Sequence, residues 1–101
     1  MQVFDLKSIE AHSQEGRERN VLFLSEEFSA RIVALPPGGV IHPCEMASNV
    51  VFTVVSGSAT LLVDGEEVVL EEGYCLISEP ATLSMRTEHG VRLLGIQIPQ
   101  Q

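Results

Sequence analysis

Basic residues are scarce in this chain: its 101 residues include six Lys and Arg against fourteen Asp and Glu, a formal net charge of −8. Such a surface repels phosphate backbones and anionic lipid head groups, and no cluster of Lys or Arg interrupts it. Nucleic acid and membrane surfaces are therefore not expected as partners. Cysteine is scarce as well. Cys44 and Cys75 are too few for a disulfide scaffold, and in a reducing compartment both are expected as free, buried, inert thiols. No apolar run is long enough to span a bilayer. The opening Met-Gln-Val-Phe-Asp-Leu-Lys-Ser has neither the basic nor the apolar region of a secretion signal, so a cytoplasmic location is expected. Internal repeats, heptads, low-complexity tracts and long helices are also missing. What is present is the composition of a globular domain, with a hydrophobic fraction of 45%. At this length a single core buries roughly two-thirds of the unfolded chain's surface.

Residues 1–19 lack sustained periodicity and read as an N-terminal arm. Within it Val3-Phe4 suits an edge strand, Asp5 suits the cap of one helical turn through Ile9, and Ser13 to Arg19 reads as loop. Residues 20–101 read as a single all-β domain, a small antiparallel β-barrel or jelly roll. Strands are expected near Val21–Leu24, Ser29–Leu35, Val50–Val55, Ala59–Val63, Glu67–Leu70, Tyr74–Ile77, Thr82–Thr87 and Val91–Ile98. Asp64-Gly65 supplies the positive φ angles of a tight primed hairpin turn, and Glu71-Glu72-Gly73 supplies the next turn. Val50-Val51-Phe52 and Val91 to Ile98 are more continuously apolar than a strand with one wet face. A second cover is implied, from a homodimer of sheets or from another layer within the subunit.

The stretch from Pro36 to Gly57, with its Pro-Pro-Gly-Gly turn, short polar segment and β-branched run, resembles the first motif of the cupins. That motif is Gly, five residues, His-x-His, three or four residues, Glu, six residues, Gly. Counted from Gly38, its histidine positions fall on Cys44 and Met46; counted back from Gly57, its glutamate falls on Val50. The second motif is Gly, five residues, Pro-x-Gly, two residues, His, three residues, Asn. From Gly73 its proline position falls on Glu79, beside Pro80, and its histidine position on Ser84. The resemblance covers about Ser29 to Ile98 and implies a cupin barrel, in which these positions hold a transition metal. Here they carry a thiol, a thioether, an alkyl group and a hydroxyl, so no metal or other cofactor is expected.

Cys44, Met46, Val50 and Ser84 are expected to line a pocket, with His42 near the barrel mouth. On a regular strand His42 would share the face of Cys44 and Met46, and the three form the alternative set, soft and suited to copper(I). Arg31 and Arg86 suit a carboxylate or phosphate if turned inward. Alternation places Arg86 on the face of Ser84 and favours it, whereas Arg31 is expected to face outward. His12 and His89 read as surface residues, and Glu45 as facing away from Cys44. Three functions follow. The first is a metal-free barrel for a small organic ligand. The second is an enzyme, metal-independent or using a soft metal at His42, Cys44 and Met46. The third is a non-catalytic structural or regulatory homodimer. The sequence alone does not establish catalysis.

Overall fold

In the computed structural model, residues 1–99 are described, so the last two residues of the expected domain lie outside the described residues. Eight strands form one curled antiparallel sheet system: β1 Val21–Leu24, β2 Ser29–Leu35, β3 Val40–Glu45, β4 Ser48–Val63, β5 Glu66–Glu71, β6 Cys75–Ser78, β7 Thr82–Arg86 and β8 Val91–Pro99. The hydrogen-bonded order is β1-β2-β8-β4-β7-β3, with β5 and β6 also paired to β4.

β4 is the axis of the fold. Its first half pairs with β6 and β8, and its second half with β5 and β7. A single strand of 16 residues replaces the two shorter ones expected on either side of Ser56-Gly57-Ser58. That small, polar triplet reads as a turn, but it forms a pivot: the register with β8 slips between Val54 and Ser56, and Gly57 takes φ 80°. Thr87, buried at the same place, donates its hydroxyl to the Ser58 carbonyl (2.7 Å) and accepts the Gly90 N–H (3.0 Å). The turn between β7 and β8 is thereby fastened to the pivot. Further along, Asp64 and Gly65 take φ 49° and 84°, the double left-handed geometry of the expected hairpin turn between β4 and β5.

The core gathers Val33 and Leu35 of β2, Val54, Ala59 and Leu61 of β4, Leu70, Met85, Val91 and Leu93. β3 is absent from the expected strands because Pro43 and the turn residues before it read as loop. The strand forms by pairing with β7, and it tolerates the proline because the register is broken there.

The arm is more ordered than its sequence implies. Val3 and Phe4 are not in a strand; Asp5 does cap a turn, with its carbonyl accepting the Ser8 and Ile9 N–H groups. Residues read as loop form consecutive 3-10 turns over Gln14–Asn20. Asn20 is buried and clasps the backbone of His12, while the Arg92 guanidinium on β8 donates to the carbonyls of Leu6 (3.2 Å) and Ile9 (2.6 Å). Ile32 alternates with the core residue Val33 and so lies on the outer face, yet it is only 1% exposed. The 3-10 segment packs on β2 as a second layer within the subunit.

Candidate functional site

Side chains alternate along a strand, so the register decides which ones enter the barrel. Stepping by two from the core residues Val54, Leu93 and Val33 places Phe52 and Val50, Gly95 and Gln97, and Arg31 and Ser29 on the interior face. The register then aligns Arg31, Gly95, Phe52 and Leu76 in one cross-strand row, and Ser29, Gln97, Val50 and Ser78 in the next.

Between β3, β4 and β7 lies a cleft of about 70 Å³. Its walls are Ile41 and Cys44, Met46 just past β3, Phe52 and Leu61 of β4, and Leu83 and Met85 of β7, with Ser84 at its border. Cys44 and Met46 are therefore brought together. Val50 is fully buried, but it packs within the interior and is not part of the cleft wall.

His42 does not join them. Ile41 pairs with Met85 and Cys44 with Leu83, so residues three apart share a face and the register slips across His42-Pro43. Pro43 has no N–H to give to the ladder, and a bulge there cancels the alternation that would align His42 with Cys44. His42 is exposed and outside the cleft, which removes the alternative grouping of His42, Cys44 and Met46. Both cysteines are exposed, correcting the expectation of buried thiols. Cys75 lies on the outer face, its sulfur 3.6 Å from the Thr53 hydroxyl.

The two arginines exchange places relative to expectation. On β7, Leu83 and Met85 are buried and pair with Val63 and Leu61, so the intervening Ser84 belongs to the outer face with Arg86. The second motif's count is one residue out of step with the inward row. Arg86 borders shallow surface depressions and makes an ion pair with Glu67 at 2.9 Å, both side chains 56% exposed. Arg31 is the inward one. A β-carbon built on Gly95 would meet the Phe52 ring at 3.0 Å and Arg31 Cγ at 3.9 Å, so both side chains flank the same glycine inside the barrel. The Nε of Arg31 is buried and has no hydrogen-bond partner among the described residues. His89 is exposed on the turn after β7, Glu45 is exposed, and His12 is half-buried in the arm.

Ile41, Phe52, Leu61, Leu83 and Met85 are cleft residues that spacing alone misses. The signal for two of them is visible in Leu83-Ser84-Met85-Arg86, where apolar and polar residues alternate. The donors do not fit a metal centre: Met46 is a weak thioether donor, Val50 has no donor, and Ser84 offers only a hydroxyl, a poor ligand at neutral pH. Among the described residues no three His, Cys, Asp or Glu side chains converge into a metal-binding group.

A curled antiparallel sheet of eight strands around a small cleft defines a class of all-β domains. The fold is that of the cupins. No known family profile matches the sequence, and no curated protein matches it. Solved structures do. The cupin domain of Schizosaccharomyces pombe Cnp3 matches with a TM-score of 0.83 and 18% identity, covering 97% of this chain and 74% of that one. The protein TT1209 from Thermus thermophilus matches with a TM-score of 0.81 and 24% identity, covering 100% of both chains. A cupin superfamily protein from Desulfitobacterium hafniense matches with a TM-score of 0.75 and 15% identity, covering 91% of this chain and 84% of that one. Among the described residues no helix is long and apolar enough to cross a membrane.

Proposed function

We propose that the protein is a metal-independent cupin barrel that holds a small organic ligand by its apolar end. The observation that carries this reading is the cleft itself, walled by aliphatic, aromatic and sulfur side chains from three strands. Its volume of about 70 Å³ is well below the roughly 300–1,000 Å³ of sites for drug-sized molecules, and about half the ~150 Å³ that admits a benzene-sized guest. The cleft therefore suits a short side group, with the remainder of the ligand at the mouth. Cupins that act through a metal need donors that these positions do not supply.

Two measurements on the full chain test this reading. Metal analysis after purification at neutral pH is expected to find no stoichiometric transition metal. NMR of the Met46 and Met85 methyl groups during titration with small branched amphiphiles is expected to show saturable shifts. A stoichiometric metal in the barrel, or methyl signals that stay fixed across the series, would sink the proposal.

A second reading, a homodimer whose barrel serves as scaffold, is favoured by a different observation. Phe23, Ala30, Ile96, Val51 and Ile77 form one apolar row across five strands on the outer face, from edge strand β1 to edge strand β6. Ile77 is 76% exposed, and the arm does not hide it. Pairing two such faces would bury the row in a symmetric, self-complementary contact. Sedimentation velocity is expected to give a dimer, and Ile77→Lys a monomer; a wild-type chain that stays monomeric at high concentration removes this reading.

A further inference from the structure

Arg31 stands apart from the other two arginines carried on strands. Arg86 has Glu67, Arg92 has the Leu6 and Ile9 carbonyls, and the buried Arg31 Nε has no hydrogen-bond partner among the described residues. This is so in a chain with fourteen carboxylate side chains against six basic ones. Its position is also built. Arg31 sits opposite Gly95, where the missing β-carbon leaves room for the Phe52 ring and the arginine stem side by side. Phe52 in turn forms a wall of the cleft. The next row toward the strand ends, Ser29, Gln97, Val50 and Ser78, adds two hydroxyls and a carboxamide but no charge.

A buried guanidinium N–H without an acceptor is costly, and the group is a planar fork whose complement is a carboxylate. From this geometry we infer that Arg31 anchors a small monocarboxylate whose short aliphatic tail enters the cleft beside Phe52. The inference rests on the proposed ligand-binding role of that cleft. The tail is limited to about three or four carbons by comparison with the ~150 Å³ needed for benzene. A single negative charge is specified by the field of the chain, since a net charge of −8 disfavours polyanions at long range.

The test uses the 15N-labelled full chain, isobutyrate as the probe and isobutyramide as its uncharged analogue. The Arg31 Nε–H signal is identified by its loss in Arg31→Lys. It is expected to move saturably with isobutyrate and to stay in place with isobutyramide. Arg31→Gln is expected to weaken isobutyrate roughly 10- to 100-fold, the range for one lost charge-assisted contact, and to leave isobutyramide unchanged. If both probes shift the Met46 and Met85 methyl signals with equal affinity and the Nε–H stays fixed, the arginine has no anchoring role, although the cleft still binds. If neither probe moves those methyl signals, the cleft reading fails and the inference fails with it. Should Arg31→Gln not fold, the wild-type Nε–H titration decides alone.

Discussion

The carboxamide of Asn20 clasps the backbone of His12 at both ends: Oδ1 accepts the His12 N–H at 2.7 Å, and Nδ2 donates to the His12 carbonyl at 2.9 Å. Asn20 is 2% exposed, so this pair closes the arm into a loop where it meets β1. Both bonds are lost in Asn20→Ala, which leaves two backbone groups without partners. The expected cost is about 1–3 kcal/mol, a fall in Tm of roughly 5–20 °C for a domain of this size. Hydrogen exchange at the His12 amide should accelerate at the same time. An unchanged exchange rate would show that the clasp does not hold the arm.

The Arg86–Glu67 pair shows the opposite case. At 2.9 Å the contact is close, but both side chains are 56% exposed and screened by solvent. A double-mutant cycle with Arg86→Ala and Glu67→Ala is expected to give a coupling of about 0.2–1 kcal/mol, reduced further in 1 M salt. A coupling of several kcal/mol would mean that the pair is far better shielded than its exposure indicates.

These contrasts separate what residue patterns reveal from what pairing decides. The strand-rich pattern and the Asp64-Gly65 turn are legible because local chemistry dictates them, and the barrel through the resemblance of Pro36 to Gly57 to the first cupin motif. Facing is not, wherever a strand is covered on both sides: around Arg31, Ala30 and Ile32 on one face and Val33 on the other are all apolar, so alternation carries no signal. At β3 the bulge across His42-Pro43 removes the parity on which the His42, Cys44 and Met46 grouping depends. At β7 the parity is present in Leu83 and Met85, but the motif count from Gly73 crosses a loop and falls one residue off it. The order of the arm has another source. It comes from the Asn20 clasp on His12, eight residues back, and from Arg92, which reaches Leu6 and Ile9 from the far end of the sequence.

Asp5 gives a pH-dependent prediction. Hydrogen bonding from the Ser8 side chain, and then from the Lys7 N–H at 3.1 Å, holds its carboxyl below the ordinary value of 3.8. A lowered folded-state pKa means that the ionised form favours the capped turn. The contribution is therefore present above the unfolded value and is lost as pH falls through the folded one. A 13C titration of the Asp5 carboxyl should place its midpoint below 3.8, and Ser8→Ala should move it upward. A midpoint at or above that value would contradict the cap.

The pivot in β4 allows backbone strain to be separated from crowding. Gly57 and Gly65 have nearly the same left-handed backbone, φ 80° and 84°. Their surroundings differ. A β-carbon at Gly65 would meet no atom of the described residues within 4 Å, whereas one at Gly57 would collide with the Gly90 carbonyl, which approaches because Thr87 fastens that turn to β4. Gly65→Ala should therefore cost only the conformational term, about 1–2 kcal/mol. Gly57→Ala adds the displacement of backbone at the junction of the two halves of the fold, for a total on the order of 3–5 kcal/mol. Denaturant titrations of the two variants measure the difference directly. Equal losses would mean that the close approach of Gly57 and Gly90 contributes nothing, and the bend in β4 would then be a property of the glycine backbone alone.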